Sequence, residues 1–403
     1  MEERGSGSSA FAFDGDRSAP DHVQQHVHEK SKRRSGPEVP TTATAYAAYK
    51  QSEAREMHRG RGASGNPANR FEALHVELDP VDPTEKDADV PKLATRFYRD
   101  ATKTIIARNN SPDVGFETSI NPYRGCEHGC AYCFARPTHE YLGFSAGLDF
   151  ESKIMVKEDA PELLEAELSS PKWQPRVVAI SGVTDPYQPV EKRLKITRRC
   201  LEVLARFRNP VAIITKNRLV TRDIDVLREL AEHEAIGVNI SVTSLDVKLQ
   251  RILEPRTSPP QARLEAVAQL HAAGIPVGVM VAPIIPGITD HEVPAILEAC
   301  GKAGAQFAGY VVLRLPWTVA PLFERWLDEH FPDRKEKVLG RIRSMRGGKL
   351  YDSRWSKRQE GEGIFAEQIG AMFEVARRRA GIGGRPTLST AAFRRPVDQL
   401  EFL

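Results

Sequence analysis

Asn121-Pro-Tyr-Arg-Gly-Cys-Glu-His-Gly-Cys-Ala-Tyr-Cys133 holds three of the chain's five cysteines, Cys126, Cys130 and Cys133, within eight residues. Three thiolates make an incomplete cage. A structural zinc site normally takes four protein ligands, often as two separated pairs, and a disulfide framework wants an even number of cysteines spread through a small secreted domain. A cubane iron–sulfur cluster fits better, because three cysteines on a short loop leave one of its irons open to a small chelating molecule. The competing description is a zinc knuckle completed by His128 or His139.

The CxxxCxxC spacing, with Tyr132 just before the last cysteine, resembles the signature of the radical S-adenosylmethionine (SAM) superfamily. That resemblance implies a four-iron four-sulfur cluster held by Cys126, Cys130 and Cys133. It also implies that the amino and carboxylate groups of SAM chelate the unique iron, with Tyr132 near the adenine.

Length and composition set outer bounds. The 403 residues suggest two to three domains, and 40% hydrophobic content can supply a substantial core. The net charge is only +3, from 57 basic and 54 acidic residues. No apolar run approaches the ~20 residues that cross a bilayer, and the polar N-terminus is unlike a secretory signal. A cytoplasmic address is expected, and clustered free thiols suit a reducing compartment.

Residues 1–58 are rich in Ser, Gly, Ala, Pro, His and charge without an apolar period, so a disordered tail is expected. His22, His26 and His28 fall in it as part of a solvated run, since no helix pattern supports a metal pair. Residues 59–110 form a basic, glycine-rich lead-in and connecting segment. Gly60, Gly62 and Gly65 match GxGxxG, but no apolar strand precedes them and no amphipathic helix follows, as a dinucleotide turn requires. This lead-in is expected to pack on the catalytic domain or touch its substrate.

From residue 111 to about 330, β-branched runs alternate with helical patterns, the rhythm of a parallel sheet wound by crossover helices. The expected strands are 118–122, 177–181, 211–215, 237–242, 277–282 and 308–313, with helices at 191–207, 224–234, 260–273 and 293–303. The fold class is therefore α/β. Six such units resemble the partial (β/α)6 TIM-type barrel of the radical SAM core, followed by a basic helical C-terminal extension and tail over residues 331–403. In such barrels function collects at the C-terminal strand ends.

At those ends lie Thr184 and Asp185 after the second strand, where acceptors suit an ammonium donor or simply form a turn with Pro186. Lys216 follows the third strand as a partner for a carboxylate or as a solvated lysine. Ser241 and Thr243 share one face of the fourth. Together with Glu254-Pro255 and Ala282-Pro-Ile284, this order resembles the spore photoproduct lyase branch, the DNA repair photolyase-like proteins, over roughly residues 115–320. The resemblance makes Tyr132, Thr184, Asp185, Lys216, Ser241 and Thr243 cofactor-binding candidates.

The implied activity is reductive cleavage of SAM to methionine and a 5′-deoxyadenosyl radical that abstracts hydrogen from a substrate, a DNA lesion or other nucleic acid being the candidate. The implied partners are a one-electron reductant such as flavodoxin or ferredoxin, with no membrane. Returning a hydrogen atom would need a donor. Cys200 and Cys300 sit in helical apolar patterns and read as packing, which leaves Tyr187 as the catalytic candidate. Residues 334–358 carry ten Lys or Arg against two acids, a difference of +8, with Tyr351 and Trp355 interspersed. This is either a nucleic-acid footprint or a solvated charged helix. Gln399 to Leu403 loosely resembles a sliding-clamp docking peptide. The alternative function is a non-catalytic nucleic-acid-binding protein with a structural zinc.

Overall fold

In the computed structural model, which describes residues 60–71, 93–355 and 357–396, the apolar runs form strands in chain order. They are β1 (Arg96–Arg99), β2 (Ile106–Arg108), β3 (Thr118–Ile120), β4 (Tyr123–Arg124), β5 (Lys153–Val156), β6 (Val178–Ile180), β7 (Val211–Thr215), β8 (Ile236–Ser241), β9 (Val277–Ile284) and β10 (Phe307–Val312). Strands β3, β6, β7, β8, β9 and β10 pair in parallel in that order, and β2 adds an antiparallel edge to β3. Six consecutive βα units with right-neighbour pairing give the expected partial barrel. Each expected strand lies within two residues of the observed one at either end.

The strands read as continuous apolar runs because both faces are covered. All six residues of β8 are buried, as is usual for parallel sheets packed on two sides. The helices Ile196–Phe207, Ile224–Ala231, Pro260–Ala272 and Val293–Lys302 supply the outer layer, and Ile213, Val238, Ile240 and Val279 are wholly enclosed. Burying each such side chain contributes about 1.5–3 kcal/mol relative to exposure.

The expected single helix at 191–207 is two helices, Glu191–Leu194 and Ile196–Phe207, broken at Lys195 with φ +56°. The buried Glu191 carboxylate causes the break. It turns back to accept from the first-turn amides Thr197 N at 3.1 Å and Arg198 N at 3.3 Å, replacing partners those amides lack at a helix start. A small sheet in the order β1-β5-β4 is also new relative to the sequence reading. Its strand β1, Arg-Phe-Tyr-Arg, is exposed throughout and carries no apolar period.

The C-terminal extension seals the barrel. Helix Ile364–Arg379 lies over Val293–Lys302, with the Tyr310 and Phe373 rings 4.7 Å apart. Gly383 N donates to Gln306 O at 2.9 Å at the start of β10, covering an edge that would otherwise be open. Arg358 reaches from this extension to Asp113 at 2.6 Å and to Ser111 in the β2–β3 turn, spanning the seam between the two sheet edges. Residues 389–395 then run along the N-terminal ends of the strands. Ser389 N donates to Glu234 O, Arg394 N to Phe207 O, and Arg395 Nη2 to Ser170 O and Trp173 O.

The basic stretch 334–358 is largely consumed by the fold. Lys335 pairs with Asp328, Arg341 with Asp290, Arg354 with Asp352 and Glu362, and Lys357 with Glu362. Arg346, 1% exposed, donates to Leu313 O at 2.8 Å and to the carbonyls of Val312, Lys357 and Arg358. The footprint reading of this stretch therefore gives way to a structural one. Among the described residues no helix is long and apolar enough to cross a membrane. The unit Met1–Ala48 with His22, His26 and His28, the rest of the expected tail to residue 58, and the Gln399 to Leu403 peptide all lie outside the described residues.

Candidate iron–sulfur and SAM site

The cysteine loop follows β4 at the C-terminal end of the barrel. Gly125 at φ +79° and Gly129 at φ +65° let it turn back on itself, and a Cβ on Gly125 would come 2.9 Å from Phe150 O. Cys126 and Cys130 are buried and Cys133 is half-buried, all three as free thiols. Burial pushes the Cys133 thiol up to about 11 and Cys130 well above its usual value, with the neighbouring cysteines adding to the shift at both. Buried thiols of this kind are poor nucleophiles. They become thiolates when a metal compensates the charge.

Among the described residues, no three His, Cys, Asp or Glu side chains converge as ligands of a single metal ion do. The two histidines of the zinc alternative have other occupations. His139 donates from Nε2 to Lys153 O at 2.9 Å and packs on Phe144 and Phe150. His128 Nδ1 lies 3.4 Å from Asp185 Oδ2, and the Asn217 amide nitrogen is 3.3 Å from its Nε2. Three thiols on one short loop, with His128 beside Cys126 but held by Asp185, fit a cluster that keeps one iron free.

His139 carries a pH signature. Its burial depresses the pKa to about 4, despite the Lys153 carbonyl. The imidazole is neutral in the folded protein, while the unfolded chain takes up a proton below about pH 6.5. Its contribution is therefore fully present above that value and is lost progressively toward pH 4, about 3 kcal/mol over the whole span. The urea midpoint of the apoprotein is expected to fall between pH 7 and pH 5. In a His139→Gln variant the fall should be smaller.

The loop after β6 grips the cysteine loop from the side. Glu127 N donates to Gln188 Oε1 at 2.9 Å, and Val190 N donates to Glu127 Oε2 at 2.7 Å. Asp185 accepts from Thr215 Oγ1 at 2.7 Å, Lys216 N at 2.7 Å and Tyr187 N at 2.9 Å, besides facing His128. Thr184 Oγ1 donates to Tyr123 O at 3.1 Å. Both residues stand at the expected strand end, with polar atoms engaged by their own chain. Ser181, at φ +114°, bends the backbone just before them, a strained geometry that collects at functional sites.

Three of the candidates meet around one carboxylate. Glu254, 1% exposed, accepts from the Tyr132 hydroxyl, from Thr243 Oγ1 at 2.7 Å and from Arg263, while Lys216 Nζ is 3.5 Å away. Lys216 Nζ also donates to Ala282 O at 2.9 Å, across the barrel from β7 to β9, and stands 5.8 Å from the Tyr132 ring centroid. Burial alone would raise the Glu254 pKa, but Arg263 and Lys216 hold it well below the usual carboxylate range. Ser241 is buried on the face it shares with Thr243, and its carbonyl accepts from Arg263 Nη1 at 2.9 Å. Two residues back, the buried Asn239 Oδ1 has no hydrogen-bond partner.

Tyr187 does not join this group. Its hydroxyl donates to Asp223 Oδ2 at 3.1 Å, in an ion cluster with Arg222, Arg198 and Glu191 beneath the loop, and the residue is fully buried. Cys200 and Cys300 are fully buried in the main core, as their helical pattern suggests. Neither offers a thiol to the cysteine loop.

The rim is aromatic and cationic. Arg70 stands over Trp317 at 4.7 Å and Phe71 at 5.0 Å, Phe71 meets Tyr141 at 4.9 Å, and Arg314 covers Phe134 at 4.2 Å. Phe71, Phe134, Tyr141 and Trp317 are all exposed, and Trp317 adopts φ +44°. The sequence reading missed Glu254, Arg263 and Trp317 as site residues. Glu254 could have been suspected from its place after the fourth strand, next to Pro255. Nothing local marks Arg263 or Trp317.

The family model of the radical SAM superfamily matches residues 120–300. An uncharacterised protein of Mycobacterium tuberculosis is 37% identical over 226 residues, which is 56% of this chain and 66% of that protein. The chain thus spans just under two thirds of the length of such relatives. Spore photoproduct lyase of Bacillus subtilis is 25% identical over 232 residues, covering 54% of this chain and 62% of the enzyme. A solved spore photoproduct lyase complexed with dinucleoside spore photoproduct has a TM-score of 0.47 at 16% identity, covering 70% of this chain and 77% of that one.

Proposed function

We propose that this chain, whose residues 120–300 match the radical SAM family model, is a radical SAM enzyme that uses its cofactors on a nucleic-acid substrate brought to the aromatic rim. The family's cofactors are a four-iron four-sulfur cluster and SAM. When bound and reduced, they supply a 5′-deoxyadenosyl radical that takes a hydrogen atom from the substrate. The observation carrying the reading is the single buried loop of three free thiols beside the Tyr132–Lys216–Thr243–Glu254 group.

In this reading Cys126, Cys130 and Cys133 hold the cluster. Lys216 offers a cation to the carboxylate of SAM, and Tyr132 packs by its adenine, both oriented by Glu254. Ser241 and Thr243 offer hydroxyls at the ribose. Asp185 acts through its hydrogen bonds by fixing His128 and the end of β7. The enclosed barrel excludes water from the reacting atoms. An external one-electron reductant such as flavodoxin or ferredoxin is required, and a reducing cytoplasm suits the thiols. Anaerobic reconstitution tests the reading. About four irons per chain and 5′-deoxyadenosine released on reduction are expected, whereas one zinc and no release would overturn it.

The nucleic-acid reading rests on the rim, where exposed rings beside guanidinium groups suit stacked bases and phosphates. Each stacked base is worth about 1–3 kcal/mol. Trp317→Ala and Arg70→Ala are each expected to weaken binding of a single-stranded oligonucleotide at low salt while leaving SAM cleavage without substrate intact. Unchanged affinity in both variants would remove nucleic acid from the proposal. Deuterium transfer from a labelled oligonucleotide into 5′-deoxyadenosine then locates the abstracted atom.

A further inference from the structure

The strap Gly60 to Phe71 lies directly on the cysteine loop. Gly62 sits so close that a Cβ there would stand 1.6 Å from Gly129 O, and one on Gly147 would stand 2.0 Å from Gly65 O. Gly62 N and Ala63 N donate to the two carboxylate oxygens of Glu151 at 3.0 and 2.9 Å. Glu151 is fully buried and pairs with the equally buried Arg136 at 2.5 Å. Arg136 in turn holds the carbonyl of Cys130 with Nε at 3.1 Å and Nη2 at 2.9 Å, and the carbonyls of Ala146 and Gly147 with Nη1.

A continuous chain of charge-assisted hydrogen bonds therefore runs from the strap backbone to the main chain of a thiol residue. Arg61 anchors the strap beside it, donating to Glu151 O at 2.7 Å, Leu93 O at 2.7 Å and Thr95 Oγ1 at 3.1 Å. At its other end Asn69 donates to Glu140 O and Arg70 to Glu140 Oε2. The strap is thus laced to both sides of the loop and covers Gly129 and Cys130 from solvent.

Resting on the reading that these thiols hold a cluster, we infer that the strap is a positioning element for it: residues 61–63, acting through Glu151 and Arg136, fix Cys130 and retard loss of the cluster. Gly62, Glu151 and Arg136 are positioning residues, since none of them supplies a ligand. The strap itself adds no strand to either sheet, so the sheet hydrogen bonding of the barrel does not depend on it.

The test uses the full chain reconstituted anaerobically with iron and sulfide, comparing Gly62→Ala, Glu151→Gln, Arg61→Ala and, as a control on an open helical position, Gly340→Ala. The readouts are the rate of iron release to a chelator without SAM or reductant, and the urea midpoint of each apoprotein. Substitutions in the shell around metal ligands typically cost about 10–100-fold, and iron release from Gly62→Ala and Glu151→Gln should accelerate on that scale. Arg61→Ala should accelerate it less, while Gly340→Ala releases iron as the wild type does. Should Gly62→Ala unfold as apoprotein, Arg61→Ala decides the matter alone. Wild-type release rates in variants carrying full iron overturn the inference but leave the cluster reading intact. A wild-type protein that takes up no iron overturns both.

Discussion

Cys126→Ala, Cys130→Ala and Cys133→Ala are each expected to retain no stable four-iron cluster and to release 5′-deoxyadenosine only at background. Two thiolates cannot hold three corners of a cubane, and the nearby His128 is already engaged by Asp185. The loop itself should survive each change. It is held by Gln188, Glu127 and Arg136, whose contacts to it do not involve a thiol. The urea midpoints of the apoproteins should therefore stay near wild type, which separates loss of a ligand from loss of the fold. Iron content near four and persistent cleavage in any one variant would remove that cysteine from the ligand set.

Glu254→Ala is expected to give the largest loss of stability of any single change at the site, about 3–5 kcal/mol. The substitution leaves Arg263, 1% exposed, as a buried cation and the part-buried Lys216 beside it without their shared carboxylate. It also frees the Tyr132 and Thr243 hydroxyls. Glu254→Gln keeps an acceptor for Arg263 and should cost less. Because the folded-state pKa is depressed, this carboxylate's contribution is present above the ordinary glutamate range and disappears as acid protonates it. Urea denaturation of the apoproteins measures both variants, and a Glu254→Ala midpoint equal to wild type would mean that the network carries no net stability.

The barrel was legible because its strands are largely covered on both faces, so that Val211–Thr215 stands out as a mainly apolar, β-branched run between turn residues, and Ile236–Ser241 reads as a strand despite Asn239 and Ser241. The thiol spacing was equally plain, being local. What stayed hidden depends on partners far apart in the chain. Glu151 meets Gly62 across 89 residues, and neither has a neighbour in sequence that announces the contact. The lead-in was expected to pack on the catalytic domain, and the strap does so, but its glycines serve close approach to Gly129 and not a phosphate turn. Lys195 breaks a helix whose apolar period runs straight through the break, because the nearby Glu191 carboxylate turns back to take the amides of Thr197 and Arg198. The charge run at 334–358 left two readings open, since composition cannot distinguish a cation paired with Asp290 or Asp328 from one waiting for a phosphate.

The tail at residues 389–395 hugs the pole of the barrel opposite the reaction mouth. A fluorescent reporter joined directly after Arg395 would start from that far pole. Trimming from the other terminus is a different matter, for a shortened gene that starts past Ala63 strips away part of the wall behind the thiols. Expression boundaries chosen by sequence matching alone, at residue 120, would cut off that wall.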